Sequence, residues 1–212
     1  MAELKTMGEA NEGCSEDRFT GAALPLAAAG SILAMAHHPV SVHGTGGIGD
    51  YVHGAMIVLL SVLFYGFARF AQRRDLRRAV ILAGLVAYGL GFAATVGAGI
   101  VNGFIVPALA ARGPGQVGQD IFILCREANQ SLAALGVFAT GAAFLLWSMD
   151  FLARAELSNR ITGIAGLLAA LLPAGALAAG LLELSVAGAF LIYSSHALWA
   201  ALVGIQFIRR KI

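Results

Sequence analysis

Charged side chains are scarce in this 212-residue chain: Asp, Glu, Lys and Arg make up 12% of it, whereas hydrophobic residues make up 58%. A soluble domain typically has about 25% charged residues and at most about 50% apolar ones. A water-soluble core of this size could not enclose so much apolar surface. The composition therefore indicates an all-α protein whose solvent is the lipid bilayer. The net charge of +2 is small and gives no argument for a nucleic acid partner.

Cysteines and catalytic signatures are also lacking. The two cysteines, Cys14 and Cys125, fall on opposite sides of the membrane in the arrangement derived below, so we expect no disulfide between them. Neither a Gly-x-Ser-x-Gly nor a His-Glu-x-x-His pattern occurs. The sequence thus leaves catalytic residues unknown, and it leaves open whether the protein is an enzyme.

Apolar runs long enough to cross a bilayer dominate the chain, since a spanning helix takes roughly 20 apolar residues within a range of about 17–25. The six runs are Phe19–Ala36, Tyr51–Phe70, Ala79–Val101, Ala128–Met149, Ile161–Leu182 and Leu184–Ile208. We predict a polytopic membrane protein, in which residues 19–212 form a single bundle of six transmembrane helices after a polar cytoplasmic tail at 1–18. The last two runs are separated only around Glu183.

Lys and Arg residues are segregated to one side of this predicted bundle. Twelve of the fourteen lie in the two terminal tails and in the second and fourth linkers, and the other two are Arg112 and Arg126. Short cytoplasmic loops are enriched in Lys and Arg. We therefore expect both termini in the cytoplasm, and the compact, Ala- and Gly-rich style of the helices favours a bacterial-type inner membrane.

The first run has a second interpretation, as a cleaved signal peptide. Ala34-Met35-Ala36 resembles a signal-peptidase site. Cleavage there would remove residues 1–36 and leave five helices. However, signal peptides begin with a basic region, whereas this tail carries five carboxylates against Lys5 and Arg18. We expect the first run to be retained.

A short internal similarity links the third and fifth runs. The segment from Arg78 to Ala87 resembles the segment from Arg160 to Ala169, and each begins an outward-going helix. A true duplication would give three related hairpins, and internal repeats are common in transporters. Helices rich in Ala, Leu and Gly also match one another by composition, so duplication stays one of two interpretations.

Four of the five histidines lie within 17 residues, from His37 to His53, around the first outer loop. Imidazole is the commonest protein ligand for transition metals, and a carboxylate can complete such a site. We predict a site for copper or zinc, with ligands drawn from His37, His38, His43, His53, Asp50 and Glu127. The spacing matches no established metal signature. A solvated loop, whose imidazoles merely suit a wet interface, is the alternative.

The remaining histidine, His196, lies near the middle of the last run, and Tyr193 shares its helix face. An ionisable residue at that depth is by default a functional candidate. This pair predicts a cofactor pocket for a flat ligand such as a quinone or a lipid, with ordinary helix packing as the alternative. Haem ligation by His53 and His196 is disfavoured, because their predicted depths differ by about eight residues, or roughly 12 Å.

Three classes of function are compatible with these features. The first is a membrane protein that binds or passes a transition metal at its outer face. The second is an accessory or scaffolding subunit, whose 27 glycines give helix faces that suit packing against a partner membrane protein or a second copy. The third is a membrane enzyme or a quinone- or lipid-binding protein that uses His196.

Overall fold

The computed structural model describes residues 2–38, 48–113, 115–209 and 212, with side chains described outside 2–14 and 48–50. All regular secondary structure in this part of the chain is helical, as predicted. The helices are α1 (Ala2–Ala36), α2 (Ile48–Arg73), α3 (Ala79–Ile100), a π-helix (Val101–Ile105), α4 (Val106–Ala110), α5 (Gln119–Leu152), α6 (Leu157–Ala178) and α7 (Val186–Ile208).

Six helices in the described residues are long and apolar enough to cross a membrane, and α3, the π-helix and α4 together supply the third of them. Large apolar side chains such as Val58, Val86 and Leu172 are exposed on the outside of the bundle. An apolar exterior of this kind suits a lipid bilayer and not water. The chain is therefore compatible with an integral, multi-pass membrane protein.

Two boundaries differ from the predicted ones. The polar tail is helical and continuous with the first run, because α1 begins at Ala2. The fifth run ends early, since Gly180 takes a φ of +68° just beyond α6. The Leu181 N–H donates to the Ala176 carbonyl at 2.8 Å and the Gly180 N–H donates to the Leu177 carbonyl at 3.1 Å. Because the glycine closes α6 at Ala178 and α7 begins at Val186, the segment between the two helices is longer than the short break expected around Glu183.

The long helices form a ring in chain order. Each packs against the helix before and after it, with α3 against α5 directly, and α7 packs against α1 to close the ring. The closest approaches use glycine: Gly91 of α3 faces the backbone of Thr140 on α5, and Gly204 of α7 faces Gly21 of α1. Small residues let such helices approach closely without a water-driven hydrophobic effect. The ring of helices encloses an interior that side chains fill in one part and leave open as a cavity in another.

The two ends of the bundle carry different chemistry. The end where α1 finishes and α2 begins contains His38 and His53, and we call it the histidine end. The opposite end, where α2 finishes and α3 begins, contains Arg74 and Arg78, and we call it the arginine end. Because α2 runs the length of the bundle between them, the histidine pair and these two arginines lie at opposite ends.

A buried carboxylate organises the arginine end. Asp150, near the end of α5, forms ion pairs with Arg74, Arg78 and Arg154, and its side chain is 2% exposed. The Arg74 guanidinium is fully buried and lies over the Phe151 ring at 4.6 Å. Burial, together with repulsion from Arg154, lowers the pKa of Arg74 to about 10, against the attraction of Asp150. Arg74 therefore keeps its charge at neutral pH.

Aromatic side chains fill the interior next to this ion-pair cluster. The Phe67 ring stacks on Trp147 with centroids 5.4 Å apart and on Trp199 with centroids 5.3 Å apart. Phe144 joins them against Trp199 at 4.2 Å. These four rings, called the aromatic plug below, are each at most 1% exposed. They close the centre of the ring of helices on the side of the arginine end.

Trp147 of α5 and Trp199 of α7 pack in a similar way against the matching segments of α3 and α6, with acceptor carbonyls one position apart in the match. Trp147 donates its indole N–H to the Ile81 carbonyl at 3.2 Å and covers Gly84. Trp199 donates to the Thr162 carbonyl at 2.9 Å and covers Gly166. Gly84 and Gly166 correspond in the sequence similarity noted above. The short match thus reflects a shared packing arrangement, in which a glycine seats an indole ring.

Candidate functional site

A cavity of about 170 Å³ lies inside the ring of helices, on the side of the histidine end. Its walls come from the end of α1, from α2, α3, the π-helix and α5, and from the start of α7. The polar lining side chains are His38, His53, Thr95, Asn102, Asn129, Thr140, Ser185, Tyr193 and His196. An otherwise apolar cavity with a few convergent polar groups is the usual form of a small-ligand site.

Two imidazoles meet in the wall of this cavity. His38 follows the last turn of α1 and His53 lies in the second turn of α2, and their Nε2 atoms are 3.1 Å apart. The rings are nearly perpendicular, at 71°, with centroids 4.7 Å apart. Whichever ring carries a proton on Nε2 donates it to the other. Both nitrogens that face each other are atoms that a metal ion can bind.

His53 is held in place by the π-helix. It is 8% exposed, and its ring packs against Gly103, where a Cβ atom would overlap the His53 side chain. The wider π-helical turn, Val101–Ile105, interrupts the α3 ladder here and places Asn102 in the cavity lining. Single π-helical turns within α-helices are frequent at functional sites. The local geometry thus combines a fixed imidazole with a neighbouring amide.

The start of α7 forms another part of the cavity wall. Gln130 on α5 donates to the Leu184 carbonyl at 3.2 Å, and Ser185 caps α7 by accepting from the Gly188 N–H at 3.2 Å. Leu184 and Ser185 both line the cavity. This segment is therefore anchored to α5 and to its own helix, and it fixes the width of the cavity.

Tyr193 and His196 lie at the inner part of the cavity, on one face of α7 as predicted. Both also line a second, smaller cavity of about 50 Å³ that reaches Phe67 and Phe144 of the aromatic plug. The His196 Nε2 atom is buried, and no described residue lies within hydrogen-bond reach of it. The ring itself contacts Phe144 edge-on, with centroids 5.0 Å apart. The two cavities are therefore neighbours that share part of their lining.

The predicted metal ligands are only partly brought together. His38 and His53 meet, whereas His37 is exposed and its Nδ1 atom lies 2.8 Å from the Leu33 carbonyl. Glu127 is exposed on α5 and lines neither cavity. His43, and the side chain of Asp50, lie outside the described residues. Among the described residues, no group of three or more His, Cys, Asp or Glu side chains could hold a metal ion.

Several cavity residues were missing from the sequence-based candidates. Met35 and Met56 line the cavity beside the histidines, and Thr95 and Thr140 line it further in. A signal for the methionines was present, because Met35 is three residues before His38 and Met56 is three residues after His53. Residues three apart share a helix face. No local pattern indicates the threonines, since their position depends on how α3 packs against α5.

Comparison of the chain with protein-family models, with curated proteins and with solved structures found no match. The fold and the cavity define only a class of protein: a helical bundle compatible with a multi-pass membrane protein, with a mainly apolar internal cavity near one end.

Proposed function

We propose that this protein crosses the inner membrane six times, with its arginine end and both termini in the cytoplasm, and that its cavity binds a transition metal ion from the opposite side. The orientation is supported by the position of the arginines: those of the α2–α3 and α5–α6 linkers lie at one end of the bundle, where cytoplasmic loops are typically basic. The histidine end then faces the extracytoplasmic side, which places the cavity within reach of ions there.

The observation that carries the metal assignment is the Nε2–Nε2 distance of 3.1 Å between His38 and His53. Two imidazole nitrogens bound to one tetrahedral ion at about 2.0–2.1 Å each lie roughly 3.3 Å apart. The Nε2 atoms therefore need to separate by only a few tenths of an ångström. The rings must also turn so that both lone pairs point at the ion, and the proton between the two nitrogens must leave. In the metal-free form, the same geometry makes a hydrogen bond between the two rings.

Further donors complete the coordination from the cavity and from solvent. Asn102 lines the cavity on the π-helix that packs against His53. Two protein nitrogens leave room for water or for additional ligands, and His43 and Asp50, in and just after the adjacent loop, remain candidates. An incompletely enclosed site of this type exchanges its ion more readily than a closed four-ligand structural site.

The aromatic plug supports binding in preference to free passage. Phe67, Phe144, Trp147 and Trp199 occupy the centre of the bundle beyond His196. A desolvated cation cannot cross stacked, fully buried rings in this conformation, because burying a charge without partners costs many kcal/mol. The cavity therefore receives its ion from the histidine end and holds it there.

The test is the metal content of the purified protein. The wild-type chain, a His38→Ala/His53→Ala variant and a His37→Ala variant are purified in mild detergent, loaded with zinc or copper, desalted and analysed by mass spectrometry of the elements. We expect about one ion per chain in the wild type, its loss from the double variant and its retention in His37→Ala, because His37 points away from the cavity.

The His37→Ala variant is a matched control, since it removes the neighbouring imidazole and leaves the facing pair intact. Equal metal content in all three proteins would refute the assignment. A stoichiometric membrane partner that co-purifies with the wild type, together with no bound metal, would instead favour an accessory subunit.

A second candidate function uses the inner part of the cavity. The buried Nε2 atom of His196 makes no hydrogen bond with the described residues. The larger cavity that His196 lines, of about 170 Å³, is similar in volume to an engineered cavity of about 150 Å³ that binds benzene. A quinone head group could occupy this space and hydrogen-bond to His196. Lipid extraction would then find a quinone in the wild type and in His53→Ala but not in His196→Leu. No quinone in any of them would reject this candidate.

A further inference from the structure

Two methionines line the same cavity as the facing histidines. Met35 is 6% exposed and Met56 is 7% exposed, and both belong to the cavity wall with His38 and His53. Methionine often serves as an adaptable filler of irregular apolar space. Here, however, the two thioethers lie beside two imidazoles in the lining of one cavity, and the arrangement has an internal symmetry.

The end of α1 and the start of α2 each supply one methionine and one histidine at a spacing of three residues, with His38 two residues beyond the last residue of α1. On α1, which runs toward the histidine end, Met35 precedes His38, while on α2, which runs away from that end, His53 precedes Met56. Three residues correspond to a rise of about 4.5 Å along a helix. Both methionines therefore lie about one turn inward of the histidine pair.

The chemistry of this donor set is selective. Imidazole binds zinc, copper, iron and nickel alike, whereas thioether sulfur is a soft ligand that selects Cu(I). Hard cations such as Mg²⁺ and Ca²⁺ prefer oxygen ligands, and the described wall carries no carboxylate. A site with two nitrogen and two thioether donors, in a mostly apolar cavity, favours the univalent copper ion.

We infer that Met35 and Met56 are metal ligands and that the cavity takes Cu(I), held between the histidine pair and the methionine pair. This inference rests on the proposed metal-binding function and names its ion. The histidines supply two nitrogen donors from the outer part of the cavity, and the thioethers supply two sulfur donors to the same ion from one turn deeper, still on the outer side of His196 and the aromatic plug. No redox step is involved, because the ion binds in the reduced state in which it is supplied.

The experiment compares two ions in three proteins. Wild type, Met35→Leu/Met56→Leu and Met149→Leu are titrated in detergent with Cu(I), under reducing conditions against a chromophoric Cu(I) chelator, and separately with Zn²⁺. Leucine keeps the apolar volume, and Met149 is a matched control because it is 57% exposed on the outside of α5.

We expect the double variant to lose Cu(I) affinity by at least about tenfold, as loss of supporting or direct ligands typically causes, with zinc affinity unchanged. Met149→Leu should match the wild type for both ions. X-ray absorption of the copper-loaded wild type should show sulfur in the copper coordination shell, and that measurement needs no variant to fold.

The outcomes separate this inference from the function on which it rests. Wild type that binds neither ion refutes both. Wild type that binds zinc and copper through His38 and His53, with only nitrogen and oxygen around copper and no change in the double methionine variant, overturns the assignment of the methionines and leaves the histidine site standing.

Discussion

Gly103 and His53 are in direct contact, and the contact leaves no room for a side chain at position 103. A Cβ atom on Gly103 would overlap the Cβ and Cγ atoms of His53. The glycine lies in the π-helix and the histidine on α2, so the contact joins two elements of the bundle at the candidate metal site. The orientation of the His53 ring therefore depends on a residue that has no side chain of its own.

Substituting Gly103 should impair metal binding without removing a ligand. In Gly103→Ala the added methyl group displaces the His53 ring away from His38, and we expect metal affinity to fall by about 10–100-fold, as it does when the groups that orient a ligand are lost. Gly89→Ala is the control, because its Cβ would meet just one atom, of Phe64, at 3.7 Å, and Gly89 does not line the cavity. Isothermal titration with zinc measures both, and equal affinities would contradict the proposed role of His53.

Removing the buried carboxylate of Asp150 should destabilise the bundle. Asp150→Ala leaves the buried Arg74 guanidinium without its counter-ion, and breaking a buried pair from one side costs about 3–5 kcal/mol. Asp17→Ala is the control, since Asp17 pairs with Arg73 at 2.8 Å in a partly exposed position and such pairs contribute at most about 1 kcal/mol. Chemical unfolding in detergent, followed by circular dichroism, compares them. Similar losses in both would show that Asp150 has no special structural role.

The glycines that seat the tryptophans should tolerate alanine poorly. In Gly84→Ala and Gly166→Ala the added methyl group meets an indole ring, and overpacking of this kind costs about 1–3 kcal/mol. Gly175→Ala is the control because nothing lies within 4 Å of its Cβ position, so alanine should stabilise α6 slightly. The same unfolding measurement applies. A stable Gly84→Ala protein would show that the plug can rearrange at little cost.

The proposed orientation predicts which residues are accessible from outside the cell. In a chain with Cys14→Ser and Cys125→Ser, a single cysteine at the exposed position of Arg112 should react with a membrane-impermeant thiol reagent in intact spheroplasts. A cysteine at the exposed position of Arg77 should react only after the membrane is broken. Labelling of both positions in intact spheroplasts would contradict the orientation, and with it the access of outside ions to the cavity.

The elements of the fold were largely readable from the sequence, and the site was readable in part. Long apolar runs predict helices because no other backbone arrangement satisfies its hydrogen bonds within lipid except a closed barrel. His37 and His38 are adjacent in the chain, and the sequence could not show which of them lines the cavity. The structure turns His37 outward to the Leu33 carbonyl and His38 inward to His53, because only one side of the last turn of α1 faces the cavity.

Counting charges along the sequence does not reveal the ion pairs of Asp150. It lies just beyond the predicted fourth run and looks like an ordinary interfacial carboxylate. Its role becomes visible once α2, α3 and α5 meet, because they bring Arg74 and Arg78 to a carboxylate that already has Arg154 four residues along the chain. Ion pairs between distant segments depend on which helices become neighbours, and helices of similar composition give little indication of that order.

The sequence by itself determined the number of membrane-length helices, their apolar character and the segregation of arginines from histidines. These features follow from the residue composition along each stretch of chain. The tertiary structure decided which helices are neighbours, that the ring closes between α7 and α1, and that His38, His53, Met35 and Met56 line one cavity. The reason is that a helix fixes the spacing of residues on its own face, while the facing partner depends on packing between segments far apart in the chain.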